Sequence, residues 1–207
     1  LTIQTAKLLP SVAAWGLLQL AILGIGAGGF PLWAHHPLPR ESLGFQEMLC
    51  GQTLLIAMLF PVLTGSVWAV VLNLLLVVPF DELSGLLSVM TQATIFEGFA
   101  CVALWMIGLA GWRRMLKSEN QQLVGSMTAL LFTAGGVLMD YLHWEKSLAE
   151  DQGASFRAIS LLARLCSPAG LSSPATWALA GSPLILFVVV GIPSTLIARM
   201  RMLRKKA

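Results

Sequence analysis

The chain has 207 residues, of which 57% are hydrophobic and 11% charged, with a formal net charge of +3. A water-soluble domain usually carries about 25% charged residues, so this composition excludes a soluble enzyme with a polar shell and makes lipid the solvent for most of the surface. The excess of Lys and Arg sits at the ends of apolar runs and in the tail, where membrane orientation accounts for it without a nucleic-acid partner.

Five apolar stretches are expected to cross the bilayer, each needing about 20 residues. The first spans 9–30. Lys7 followed by an apolar run has the outline of a signal peptide, but the run from Leu8 to Ala34 is too long for its apolar core, and a helix is expected instead. Gly24 and Gly28 form a GxxxG pair, and Gly16 extends the small face by two turns. Such a face lets a second helix come close, within the chain or from a partner subunit.

The second stretch, 49–78, is longer than a straight span needs, and Pro61 inside it predicts a kink. The short acidic link Pro79 to Ser84 then predicts a helical hairpin with the third span, 87–111. The fourth span is 123–142, with further small residues at Gly125, Ser126, Thr133, Gly135 and Gly136. Between it and the fifth span, 178–198, lies a polar segment. Within this segment Phe156, Ile159, Leu162 and Cys166 recur at helical spacing over 155–166, opposite Arg157 and Arg164. A short amphipathic helix lying flat on the outer membrane surface is expected there.

The expected architecture is an all-α polytopic bundle of about five transmembrane helices and one short interfacial helix, forming a single membrane domain over 1–207. The positive-inside rule places the link with Arg113, Arg114 and Lys117 and the tail with Arg199, Arg201, Arg204, Lys205 and Lys206 in the cytoplasm. Five spans then put the N-terminus outside and the C-terminus inside, and a bacterial inner membrane is the expected location. Trp33, Trp112, Trp144 and Trp177 fall near span ends, as an aromatic belt does. Cys50, Cys101 and Cys166 are far apart, form no metal-ligand spacing, and read as packing residues.

Ionisable groups within a span are costly and raise a functional expectation. Glu97 lies about a third of the way into the third span, with Gln92 and Thr94 as nearby hydrogen-bonding candidates. Asp81, Glu82, Asp140 and His143 fall at one outer level and could together take up a proton or cation. The three histidines, His35, His36 and His143, lie at span ends on opposite sides, about 30 Å apart. One haem cannot be held by both groups, so His36 and His143 could ligate haem only with a partner's help. No nucleophile elbow, phosphate-binding glycine loop or paired metal histidines are present.

Glu47-Met48-Leu49, leading into an apolar helix that closes on Leu63-Thr64-Gly65, resembles the second helix of the NnrS family. Arg113-Arg114-Met115-Leu116 through Asn120, and the following span to Tyr141-Leu142-His143, resemble that family's next link and helix. The resemblance covers about residues 45–143. It implies a polytopic haem- and copper-associated membrane protein linked to nitric oxide stress. The family's His-x-His-Glu-Met-Leu motif is altered here, with Gly44 and Gln46 at the histidine positions, and glutamine is a poor haem or copper ligand.

Three functions follow as expectations. The first is a non-catalytic membrane subunit of an electron- or proton-handling complex of a respiratory type. It would anchor other subunits and bind no cofactor alone, with haem or quinone shared at interfaces. The second is a small transporter or channel component using Glu97 and the outer carboxylates. The third is a haem-associated relative of NnrS.

Overall fold

The computed structural model describes residues 2–27, 40–146, 161–165 and 170–193, with side chains placed for 10–25, 44–135, 137–138, 161–162, 164–165 and 170–193. The described residues are helical and contain no strand. In chain order they are α1 (Thr2–Ala27), α2 (Arg40–Leu63), α3 (Val67–Leu87), α4 (Gln92–Arg113), α5 (Glu119–Lys146), the short α6 (Leu161–Leu165), a 3-10 turn at Gly170–Ser172, and α7 (Pro174–Leu186), which runs on as a π-turn over Phe187–Gly191. Four helical segments are long and apolar enough to cross a membrane: Gly44–Leu63, Val67–Leu87, Gln92–Arg113 and Pro174–Gly191; a shorter apolar helix covers Pro10–Ile25. Large apolar side chains such as Leu17, Trp68, Leu75, Phe96, Leu131 and Val189 point outward, the surface of an integral membrane bundle facing acyl chains.

The stretch 49–78, expected as one kinked span, is instead the arms of a hairpin. α2 passes Pro61, ends at Leu63, and the chain reverses at Thr64-Gly65-Ser66. In lipid every backbone polar group must find an internal partner, and side chains around this turn supply several. Ser66 caps α3, its hydroxyl accepting from Ala69 N at 3.1 Å. The Asn73 amide donates to Leu63 O at 3.0 Å. Arg113 donates from Nη1 to Gly65 O at 3.2 Å. Correspondingly, Pro79 to Ser84 is not a link but part of α3. The actual reversal into α4 lies at 88–91, where Thr91 caps the new helix by accepting from Thr94 N.

The extra reversal changes the topology. Phe45 pairs with Ser88, Gln52 with Asp81 and Leu63 with Asn73, so residue numbers on α2 and α3 run oppositely. α1 is antiparallel to α2, with Gln19 on Gln52 and Ile22 against Gly51. α4 is parallel to α2, with Gly98 against Phe45 and Leu49 and Trp105 Nε1 donating to Thr53 O at 3.2 Å. α7 is parallel to α4, with Gly108 against Pro183 and Leu184 and Gly111 against Phe187. A Cβ on Gly108 would stand 2.8 Å from the Leu184 backbone nitrogen, so only glycine permits this approach. The helices therefore alternate in direction. The start of α1, the turn at 64–66, the link at 114–118 and the end of α7 share one end of the bundle. The start of α1 and the end of α7 on the same end of the bundle do not support the expected placing of the termini on opposite sides.

The expected surface helix over 155–166 is described only at 161–165. There Leu161, Leu162 and Leu165 are buried in the main core, packed among α2, α5 and α7. This part is packed into the bundle rather than flat on the membrane: Leu161, Leu162 and Leu165 form one apolar face, and the space among α2, α5 and α7 takes that face in. Cys50 and Cys101 are buried and free, as packing residues.

The hairpin makes a topological prediction. In intact membranes, Gly65→Cys is labelled by an impermeant thiol reagent from the same side as Lys117→Cys and from the opposite side to Val89→Cys. A continuous 49–78 span would bury position 65 and leave it unlabelled.

Candidate functional site

Three polar side chains from three different helices meet inside the apolar bundle. Gln19 comes from α1, Gln52 from α2 and Asp81 from α3, at 0%, 0% and 1% exposure. Gln52 joins the other two. Its Nε2 donates to Gln19 Oε1 at 2.9 Å and to Asp81 Oδ1 at 2.6 Å. An amide nitrogen has two hydrogens, so this donor is fully used. Gln19 Nε2, Gln52 Oε1 and Asp81 Oδ2 remain buried and without a partner in the protein. One donor and two acceptors are thus left facing no protein group. A buried polar atom in this condition costs about 1–3 kcal/mol, and this cluster gathers three of them.

The helices bring these groups together by their pairings. α1 and α3 run parallel beside each other, with Trp15 Nε1 donating to Asn73 O at 3.2 Å and Gly16 against Leu76. Going up both helices from that contact brings Gln19 level with Asp81, and α2 crosses both with Gln52. Asp81 lies six residues before the end of α3, about 9 Å at helical rise, well inside the span.

The other expected site residues are distributed differently. Glu82, next to Asp81, turns away and accepts from Gln92 Nε2 at 3.3 Å. Glu97 is exposed on the outward side of α4. Its expected neighbours are engaged elsewhere, Gln92 with Glu82 and Thr94 with Thr91. Asp81 and Glu97 therefore do not share a site. Asp140 and His143 lie on α5 with side chains outside the described residues, and His35, His36 and Gly28 also lie outside them. Gly16 packs within the chain on Leu76 at 3.4 Å, whereas a Cβ on Gly24 would meet nothing within 4 Å. Among the described residues no group of three His, Cys, Asp or Glu side chains is placed to hold a metal ion. At the motif resembling NnrS, Gly44 lies against Ser88 Oγ, Gln46 has its Oε1 buried without a partner, and Glu47 is buried.

Sequence reasoning had Asp81 but not Gln19 or Gln52. The available signal was a lone amide in the middle of an apolar run, which is as costly in lipid as a charge is conspicuous. No protein-family model, no curated protein and no solved structure matches this chain.

Removing the bridging amide leaves Asp81 Oδ1 and Gln19 Oε1 bare. Gln52→Leu should lower stability by about 1–3 kcal/mol, read as a drop in unfolding temperature in detergent. Replacing Gln19, Gln52 and Asp81 together by Leu should recover most of that loss, because no orphan group then remains.

Proposed function

We propose that this chain is a membrane component that takes up and passes on protons at the Gln19–Gln52–Asp81 cluster. The observation that carries the reading is the set of orphan groups: a carboxyl oxygen, an amide oxygen and an amide N–H, all buried within the spans. A carboxyl in lipid is retained where it has a task. The kind of group left over favours a proton over a metal cation. A hard metal cation takes oxygen ligands, and the Gln19 N–H would face it with the wrong polarity. A proton on Asp81, or a water beside it, uses donors and acceptors together. Asp81 would be the proton carrier, Gln52 the group that orients it, and Gln19 the partner that fixes the Gln52 amide.

This is the transport reading with its centre moved from Glu97 to Asp81. Its membrane sidedness follows from Lys and Arg. The bundle end that holds the start of α1, the 114–118 link and the end of α7 has nine of the 13 basic residues on it or in the adjoining sequence, against four at the other end. The positive-inside rule makes that end cytoplasmic, so both termini fall on the cytoplasmic side and Asp81 lies nearer the outer one.

In proteoliposomes with an imposed potential and an internal pH dye, the parent chain should acidify the lumen faster than protein-free vesicles. Asp81→Asn should reduce the rate to the protein-free level, and Glu97→Gln should leave it at the parent value. Equal flux in Asp81→Asn and parent would overturn the reading.

A second reading is a non-catalytic subunit of a larger electron- or proton-handling complex in an energy-conserving membrane. Gly24 favours it, because its face of α1 is open and small enough to receive another helix. Gly24→Leu should then release the chain from its partners on gentle extraction, seen as loss of co-purifying subunits by native mass spectrometry. Unchanged co-purification would count against a partner on that face.

A further inference from the structure

We infer that the groove between the end of α4 and the start of α5 is a binding site for one anionic phospholipid. The groove has a volume of about 270 Å³ and is lined by Trp112, Leu116, Val124, Gly125 and Thr128, with Asn120 and Gln121 at its rim. Its walls are almost wholly apolar. Thr128 turns its hydroxyl to Val124 O at 2.8 Å, and so presents its methyl side. Gly125 is the floor, where a Cβ would run into Leu116 at 2.5 Å and Phe60 at 3.3 Å. Phe60 stacks on Trp112 at 6.2 Å between ring centres with planes 8° apart, which stiffens one wall. An acyl chain fits such a slot.

The mouth of the groove specifies the headgroup. Arg113, Arg114 and Lys117 flank Trp112 and Leu116 in the chain, at the bundle end where α4 stops and α5 begins. Arg113 uses Nη1 to hold the Gly65 carbonyl, and its Nε has no partner. Arg114 and Lys117 are exposed. The Lys117 and Ser118 backbone N–H groups both turn to Gln121 Oε1, at 2.8 and 3.2 Å, which holds the link in a tight loop beside the groove. Three cations and no carboxylate fall within 113–118; Glu119 follows as the first residue of α5, where a negative charge suits the helix N-terminus. Basic clusters at this membrane depth recognise anionic headgroups, and a phosphodiester matches the fork of a guanidinium. The occupant is thus a lipid with an anionic phosphate headgroup, such as phosphatidylglycerol, with one chain in the slot.

The test is native mass spectrometry of the full chain released from mixed micelles containing equal phosphatidylglycerol and phosphatidylcholine with matched acyl chains. The parent should retain phosphatidylglycerol preferentially, at one per chain. Arg114→Gln with Lys117→Gln should lower that preference by about fivefold for each basic residue lost. Val124→Trp, at an outward position that does not enter the core, should block the slot and lower retention of both lipids. Equal retention of the two lipids by the parent, or an unchanged preference in the double variant, would overturn the proposal. Retention of free inorganic phosphate in place of lipid would also overturn it, since the slot would then have no role.

Discussion

The contacts of α2 with its neighbours hold the bundle in register. Gln52 reaches α1 and α3 at once through a single amide nitrogen. At the next residue the Thr53 carbonyl receives the Trp105 indole of α4, and Phe45 and Leu49, about two turns and one turn before Gln52, fill the notch at Gly98. In a lipid environment apolar contact does not distinguish one helix neighbour from another, since acyl chains are as apolar as leucine. What selects a neighbour is a hydrogen bond that has no alternative partner and a glycine that permits close approach. α2 has both, on successive faces, and the arrangement of α1, α3 and α4 around it follows.

The same constraint gives meaning to the Gln19–Gln52–Asp81 cluster. A polar contact between two helices could be complete with one donor and one acceptor. This cluster stops short of completion, with an amide N–H and two oxygens left over in a part of the molecule that water does not freely reach. The surrounding packing is tight, with Trp15 and Ile56 fully buried, so the incompleteness does not come from a loose core. An arrangement that is well ordered and yet unsaturated is the observation on which the proposed proton-handling role rests. By contrast Glu97, at a similar distance from its helix end, is exposed on the outer face of α4, where its side chain can extend toward the membrane surface.

Much of the architecture was legible in the residues themselves. Composition alone decided the all-α membrane class, because 11% charge cannot clothe a soluble surface. The spans corresponding to α4 and α5 were visible as apolar runs within about five residues of their ends, and those of α1 and α7 as runs whose bounds differ more, α1 beginning at Thr2 rather than 9. The α2–α3 hairpin was not. Its turn, Thr64-Gly65-Ser66, carries a recognisable reversal signal, but it interrupts a run apolar enough on both sides to pass for one long helix. The partners that make the reversal possible, Asn73 and Arg113, lie ten and nearly fifty residues away. The 161–165 segment was misplaced for a similar reason: its leucines have the spacing of an interfacial helix, and only the room between α2, α5 and α7 draws them inside.

The sequence by itself determined the solvent of this protein, its helical content and the presence of carboxylates within the spans. Those depend on residue type and on local periodicity. The tertiary structure decided which carboxylate is buried and with what. Asp81 and Glu97 are indistinguishable as acids in apolar runs, but α3 turns one inward against Gln52 and α4 turns the other outward. That choice depends on helix rotation and on the register between helices, and both are set by long-range pairs such as Trp15 with Asn73 and Phe45 with Ser88, which no local pattern encodes.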